Sequence, residues 1–188
     1  MLKYSYPLLL GNIFAVSLTI ADRYMIAFLG TLDDVGLYSL GFKLANTIKI
    51  FFIVSVQSAL IPIVLKKIND PDNKRFYSKI MTYLSLVVCF LSLTLALLGE
   101  NLLAVITSNP DYLASFAVIP IILLSIIFGM LKDISINGLS IVFKKNIIGI
   151  MVVIIAIVNI LLNYLLIPIY GSIGAGLASL LSQMLFFI

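Results

Sequence analysis

The sequence predicts an all-α integral membrane protein, a single lobe of six transmembrane helices with its N-terminus in the cytoplasm. Three observations predict it. Hydrophobic residues make up 62% of the 188 and charged residues 11%. A soluble domain carries roughly 45–50% and about 25%, so this chain lacks the polar surface to cover itself in water. Six apolar runs each approach or exceed the roughly 20 residues that a spanning helix needs. The links between them alternate between basic ones and ones without Lys or Arg.

Helix A is expected over Tyr4–Leu29. Lys3 precedes it and no small-residue cleavage site follows a short apolar core, so it reads as a membrane helix and not a removable signal peptide. The link "GTLDD" is acidic, with Asp33 or Asp34 placed to cap helix B. Helix B, Asp34–Leu65, would be roughly 48 Å long, so it tilts, curves or protrudes from the bilayer. The next link, Lys66–Lys79, holds Lys66, Lys67, Lys74, Arg75 and Lys79 against Asp70 and Asp72. Helix C follows over Ser78–Leu98, and its link to helix D holds Glu100 and Asp111 with no basic residue.

Helix D begins near Asp111 and has two readings. It ends near Leu131, leaving "KDISINGLSIVF" as an interfacial segment, or it runs to Phe143 and carries Lys132 and Asp133 toward mid-membrane. Lys144 and Lys145 mark the D–E link, helix E covers Ile147–Ile167, and "PIYGS" leads uncharged into helix F, Ser172–Ile188. The apolar ending at Ile188 reads as part of a longer, two-lobe transporter. By the positive-inside rule, the N-terminus and the B–C and D–E links face the cytoplasm.

The net charge of +4 therefore reports topology, and no nucleic-acid partner is expected. A lone Cys89 makes no disulfide framework or cysteine metal cluster, and with no histidine the commonest metal ligand and general base is missing. There is no carboxylate pair at helical spacing, no Ser–His or Cys–His set and no acidic metal motif. The expectation is a non-enzymatic protein with no catalytic residue, metal or cofactor.

Polar groups inside the spans carry the functional reading, because an ionisable residue in lipid is costly. "LTIADRYMIAFLG" places Asp22 and Arg23 in helix A, Arg23 about 10 Å below Gly30. On helix B, Ser39, Lys43, Asn46 and Gln57 fall in one narrow stripe, flanked by Thr47 and Ser58, with Lys49 off the other side. Such a seam faces protein or a wet cavity. The plainer readings are that Arg23 pairs with an acid or reaches the headgroups, and that Lys49 reaches the cytoplasmic interface. Lys43 is too deep for that, and Asp22 reads as a structural partner of Arg23 or Lys43. Asn159 and Asn163, at i and i+4, are expected to bond a neighbouring helix. Gly171, Gly174, Ala175, Ala178, Ser179 and Ser182 recur at spacings of three and four, a close-packing face. Pro62, Pro120 and Pro168 mark kinks or helix ends.

"ADRYMIAFLG", an acidic link, "VGLYSLGFKLAN", "ALIPIVLKK", "PDYLASFAVIPIILLS" and "NILLNYLLIPIYGSIGAGLASLLS" follow in an order that resembles the C-terminal half of bacterial oligosaccharide flippases. These are the O-antigen and capsule exporters of the polysaccharide biosynthesis family, grouped with MATE-like transporters and lipid II flippases. The resemblance covers nearly the whole chain, departing mildly at "GAGLAS". It implies a multi-pass protein of the bacterial inner membrane, with two six-helix lobes working by alternating access on a polyprenyl-pyrophosphate-linked oligosaccharide. Helices A and B would line the central cavity, making Arg23, Lys43 and Lys49, with Asn46 and Gln57, the candidates for the anionic substrate. Asp22 would couple transport to H+ or Na+, and the partners would be the lipid-linked glycan, membrane lipids and the second lobe. The rivals are a cation or drug antiporter of the same fold, a lipid II-type flippase, a polytopic membrane enzyme and a structural subunit.

Overall fold

The computed structural model describes residues 20–66, 72–107, 109–140 and 145–187, and all regular structure among them is helical. The start of the predicted helix A, the link residues Lys67 and Asp70, Phe143 and Lys144 lie outside the described residues. Four helices are long and apolar enough to cross a membrane. Large apolar side chains are exposed along all of them, Phe51, Leu97, Val105, Leu124 and Ile169 among them. In water that surface would drive aggregation; in a bilayer it is the surface that lipid requires.

Helix α1 occupies 20–29 among the described residues and ends at Gly30. Helix α2 is Leu32–Ile48, continued without a break by a π-helical stretch, Lys49–Val54, and by Ser55–Lys66. Its start is set by a capping box. The Thr31 hydroxyl accepts from the Asp34 amide, and the Asp34 carboxylate accepts from the Thr31 amide at 3.2 Å. The cap is thus Thr31, with Asp34 as its reciprocal partner. Thr31→Ala is expected to cost about 1 kcal/mol, which thermal unfolding of the purified full-length protein would register as a Tm lower by about 2–4 °C.

Helix α3, Asn73–Ile106, is longer at both ends than its apolar run, so Glu100 lies on the helix and not in a link. Helix α4 opens as a 3-10 helix, Pro110–Val118, capped by Asn109, and continues as Ile119–Ser140. No proline lies between Leu131 and Ser140, and the helix carries Lys132 and Asp133 on past the shorter of the two expected ends. It is the central helix. Val118, Ile119, Ile122, Leu123 and Met130 are buried along it, against α2, α3 and α5.

Helix α5, Lys145–Phe187, is interrupted at Gly171, whose φ of 55° and ψ of −130° are not helical. The two arms fold back on each other. A Cβ on Gly174 would collide with the Leu166 carbonyl and lie 2.9 Å from the Ile167 nitrogen. In one straight helix, residues 166 and 174 would stand about 12 Å apart. The bend rests against the α1–α2 turn, where Asp34 Oδ1 accepts from the Ser172 amide at 3.4 Å. One end of the bundle therefore gathers Thr31, Asp34 and Gly171, and the chain direction sends Lys66, Ser140 and Lys145 to the other.

Candidate functional site

Asp22 stands on α1 with 5% of its surface exposed, and three uncharged groups donate to it. Oδ2 accepts from the Tyr38 hydroxyl at 2.9 Å and from the Ser179 hydroxyl at 2.8 Å. Oδ1 accepts from Asn163 Nδ2 at 2.8 Å. That amide also donates to Asn159 Oδ1, 3.1 Å away and one turn earlier on the same arm of α5. The site thus joins α1, α2 and both arms of α5. A carboxylate costs about 2.5–3.5 kcal/mol at a membrane helix centre. Hydrogen bonds to a charged group contribute about 1.5–3 kcal/mol each, so three donors hold the charge without a counter-ion.

The neighbouring cation is not the partner. Among the described residues no ion pair joins Asp22 to Arg23 or Lys43. Successive helix residues diverge by 100°, and the half-buried Arg23 lies over the Phe42 ring, 4.9 Å from its centroid.

A cavity of about 350 Å³ opens beside the carboxylate. On α2 it is bordered in turn by Tyr38, Phe42, Asn46, Lys49 and Ile53, a run of about 20 Å along the helix. Across from these stand Ser125, Lys132 and Asp133 of α4 and Asn159, Ser182 and Gln183 of α5. Lys132 and Asp133 pair at 3.0 Å, and Lys132 lies over the Phe186 ring. No group of three or more His, Cys, Asp or Glu that could hold a metal occurs among the described residues.

A model of the family described as polysaccharide biosynthesis protein matches residues 1–114, more than half of the chain. The chain belongs to the polysaccharide biosynthesis protein family. No curated protein and no solved structure matches it. The matched part of this family member holds Asp22, Tyr38 and the whole cavity-facing stripe of α2, while Asn163 and Ser179 lie beyond it.

The five residues proposed for an anionic ligand separate in this polysaccharide biosynthesis protein. Asn46 and Lys49 line the cavity. Lys43 is exposed and does not border the cavity, Arg23 packs on Phe42, and Gln57 is half-buried with Nε2 unpartnered among the described residues. The polar stripe of α2 and its inward face differ for two reasons. The inward face includes Tyr38, Phe42 and Ile53, which polarity does not mark. The π stretch also inserts an extra residue per turn, rotating the remainder of the helix by about 100° and taking Gln57 out of phase with Asn46. Tyr38 and Ser179 were hidden for a related reason, because a tyrosine in an apolar helix and a serine on a small-residue face both read as packing.

Proposed function

We propose that the protein is one lobe of a flippase that moves a polyprenyl-pyrophosphate-linked oligosaccharide across the bacterial inner membrane by alternating access. The observation that carries the reading is the buried Asp22 carboxylate at the inner end of a polar cavity within a helical membrane bundle. A structural subunit has no use for a charge kept in that position, whereas a transporter uses it to couple an ion to a conformational change. Asp22 is the coupling site for H+ or Na+, and its three donors sit on the elements whose relative movement the ion would control. Family membership supplies the glycan, and the resemblance supplies the lipid carrier and the second lobe.

In this reading the N-terminus and the basic links face the cytoplasm, and α1 and α2 border the space between two lobes. Arg23 and Lys43, outside the internal cavity, attract the pyrophosphate there, while the polyprenyl tail stays in lipid. The test is complementation of a strain lacking its surface-glycan flippase with the full-length gene. Lys43→Ala and Arg23→Ala are each expected to lose roughly 10–100-fold in export rate at equal protein level, the equivalent of one hydrogen bond to a charged group. Normal export by both variants overturns the cationic contact. Drug resistance without glycan export would favour a MATE-like antiporter instead.

A further inference from the structure

We propose that the π-helical stretch of α2 is a register switch, which straightens to α-helix and turns the end of α2 about its own axis, bringing Gln57 into line with Asn46. This rests on the transporter reading and names a moving part of the lobe.

The stretch lies where a clamped half of α2 gives way to a loosely held one. Tyr38, Gly41, Ala45 and Ile48 are buried at steps of three or four residues, so the first half keeps one face on the bundle. The next buried position is Ile53, a step of five, the spacing of a π-helical turn. Beyond it, none of the described side chains of Ser55–Lys66 is buried. Packing therefore fixes Leu32–Ile48 and leaves the end of the helix free to turn.

A π turn stores one residue more than an α turn. Straightening Lys49–Val54 releases that residue, so the rest of α2 turns by about 100° and advances by about 1.5 Å. Phe52, four residues after Ile48, then takes the inward place of Ile53. Phe52 is 40% exposed and Ile53 2%. Both are apolar, and lipid tails are as apolar as a protein core, so the exchange alters packing without moving either side chain out of water.

Gln57 supplies a driving force. Its Nε2 is buried and unpartnered among the described residues, which costs about 1–3 kcal/mol. In a straight α2 the eleven residues from Asn46 to Gln57 make three turns and about 20°. The amide then stands in line with Asn46, which borders the polar cavity. The hydroxyls along α2 accommodate both forms. Those of Thr47 and Ser58 donate to the Lys43 and Val54 carbonyls, four residues back, at 3.0 and 2.8 Å. The Ser55 hydroxyl reaches five residues back, to the Ile50 carbonyl, at 3.4 Å. In the straight form it donates to the Phe51 carbonyl, the ordinary four-residue bond of a helical serine, so no side-chain bond is lost. Helix register shifts take microseconds to milliseconds.

Spin-label distances in the full-length protein, reconstituted in liposomes in a Cys89→Ser background, test this. Labels at Ser58→Cys and Ser78→Cys span from the end of α2 to α3. Two distances differing by up to about 8 Å are expected, the swing of a point on a helix surface through 100°. Thr47→Cys with Ser78→Cys, placed ahead of the switch, is expected to give one. Deleting Phe51 removes the surplus residue and makes α2 an unbroken α-helix, with its end held in the orientation the structure shows. The Ser58–Ser78 pair should then give a single distance. Deleting Ile50 provides the same reading should the first deletion not accumulate. A single distance in the parent, or two in the deletion variant, overturns the switch. The deletion is also expected to lower glycan export at least 10-fold at equal protein level, and export at the parental rate would overturn its part in transport. A parent that exports no glycan refutes the flippase reading and leaves the distances standing.

Discussion

Gly174→Ala is expected to remove the folded protein from the membrane. The added methyl has no free space, because it meets the Leu166 carbonyl and the backbone around Ile167, and backbone cannot rotate aside as a side chain does. Overpacking commonly costs about 1–3 kcal/mol, and a clash between two backbones belongs at or above the upper end. Gly171→Ala should fail for a separate reason. Its positive φ is a region that costs about 1–3 kcal/mol for residues with a side chain, and its Cβ would lie 2.7 Å from Asp34 Oδ1. Gly149→Ala is the control. Among the described residues nothing lies within 4 Å of its Cβ, and alanine is the better helix former by about 1 kcal/mol. Fluorescence of a carboxyl-terminal reporter on the full-length protein, with size-exclusion profiles in detergent, checks the series. Equal levels for Gly174→Ala and Gly149→Ala would refute the hairpin packing.

Substitutions at Asp22 should separate stability from transport. Asp22→Ala leaves the Tyr38 and Ser179 hydroxyls without an acceptor and the Asn163 amide with Asn159 alone. Unsatisfied buried donors cost about 1–3 kcal/mol each, and removal of the buried charge offsets part of this. The expected net loss is about 2 kcal/mol or more, seen as a lower Tm. Asp22→Asn behaves differently. Its carbonyl still accepts from Tyr38 and Ser179, and its new NH2 finds Asn163 Oδ1 once that amide reverses. Stability should stay within about 1 kcal/mol of the parent, while ion-coupled export is lost. Export by Asp22→Asn at the parental rate would remove Asp22 from the coupling mechanism.

Much of this architecture was legible because lipid constrains sequence so severely. The class follows from composition, and the helices stand close to where their apolar runs lie. Asp22 declared itself as a charge in an apolar run, Asn159 and Asn163 as amides in need of partners, and "GSIGAG" as a close approach. Which groups meet stayed hidden. Charge complementarity pointed Asp22 toward Arg23 or Lys43, yet its donors are neutral and up to 157 residues distant. The longer ends of α3, and the continuation of α4 through Lys132, were hidden because a helix need not stop where its apolar run does. The π stretch has no marker in "KIFFIV", so the rotation of α2 beyond it was out of reach of any periodicity argument.

The separation of Asp22 from its donors also has a consequence for biogenesis. Synthesis proceeds at about 5–20 residues per second, so Ser179 emerges roughly 8–30 s after Asp22, from which it lies 157 residues away. For that interval α1 holds a carboxylate lacking its α5 donors, at an insertion cost of about 2.5–3.5 kcal/mol. A nascent chain halted before Asn163 lacks two of the three donors to Asp22, and a chain that reaches Ser179 holds them all.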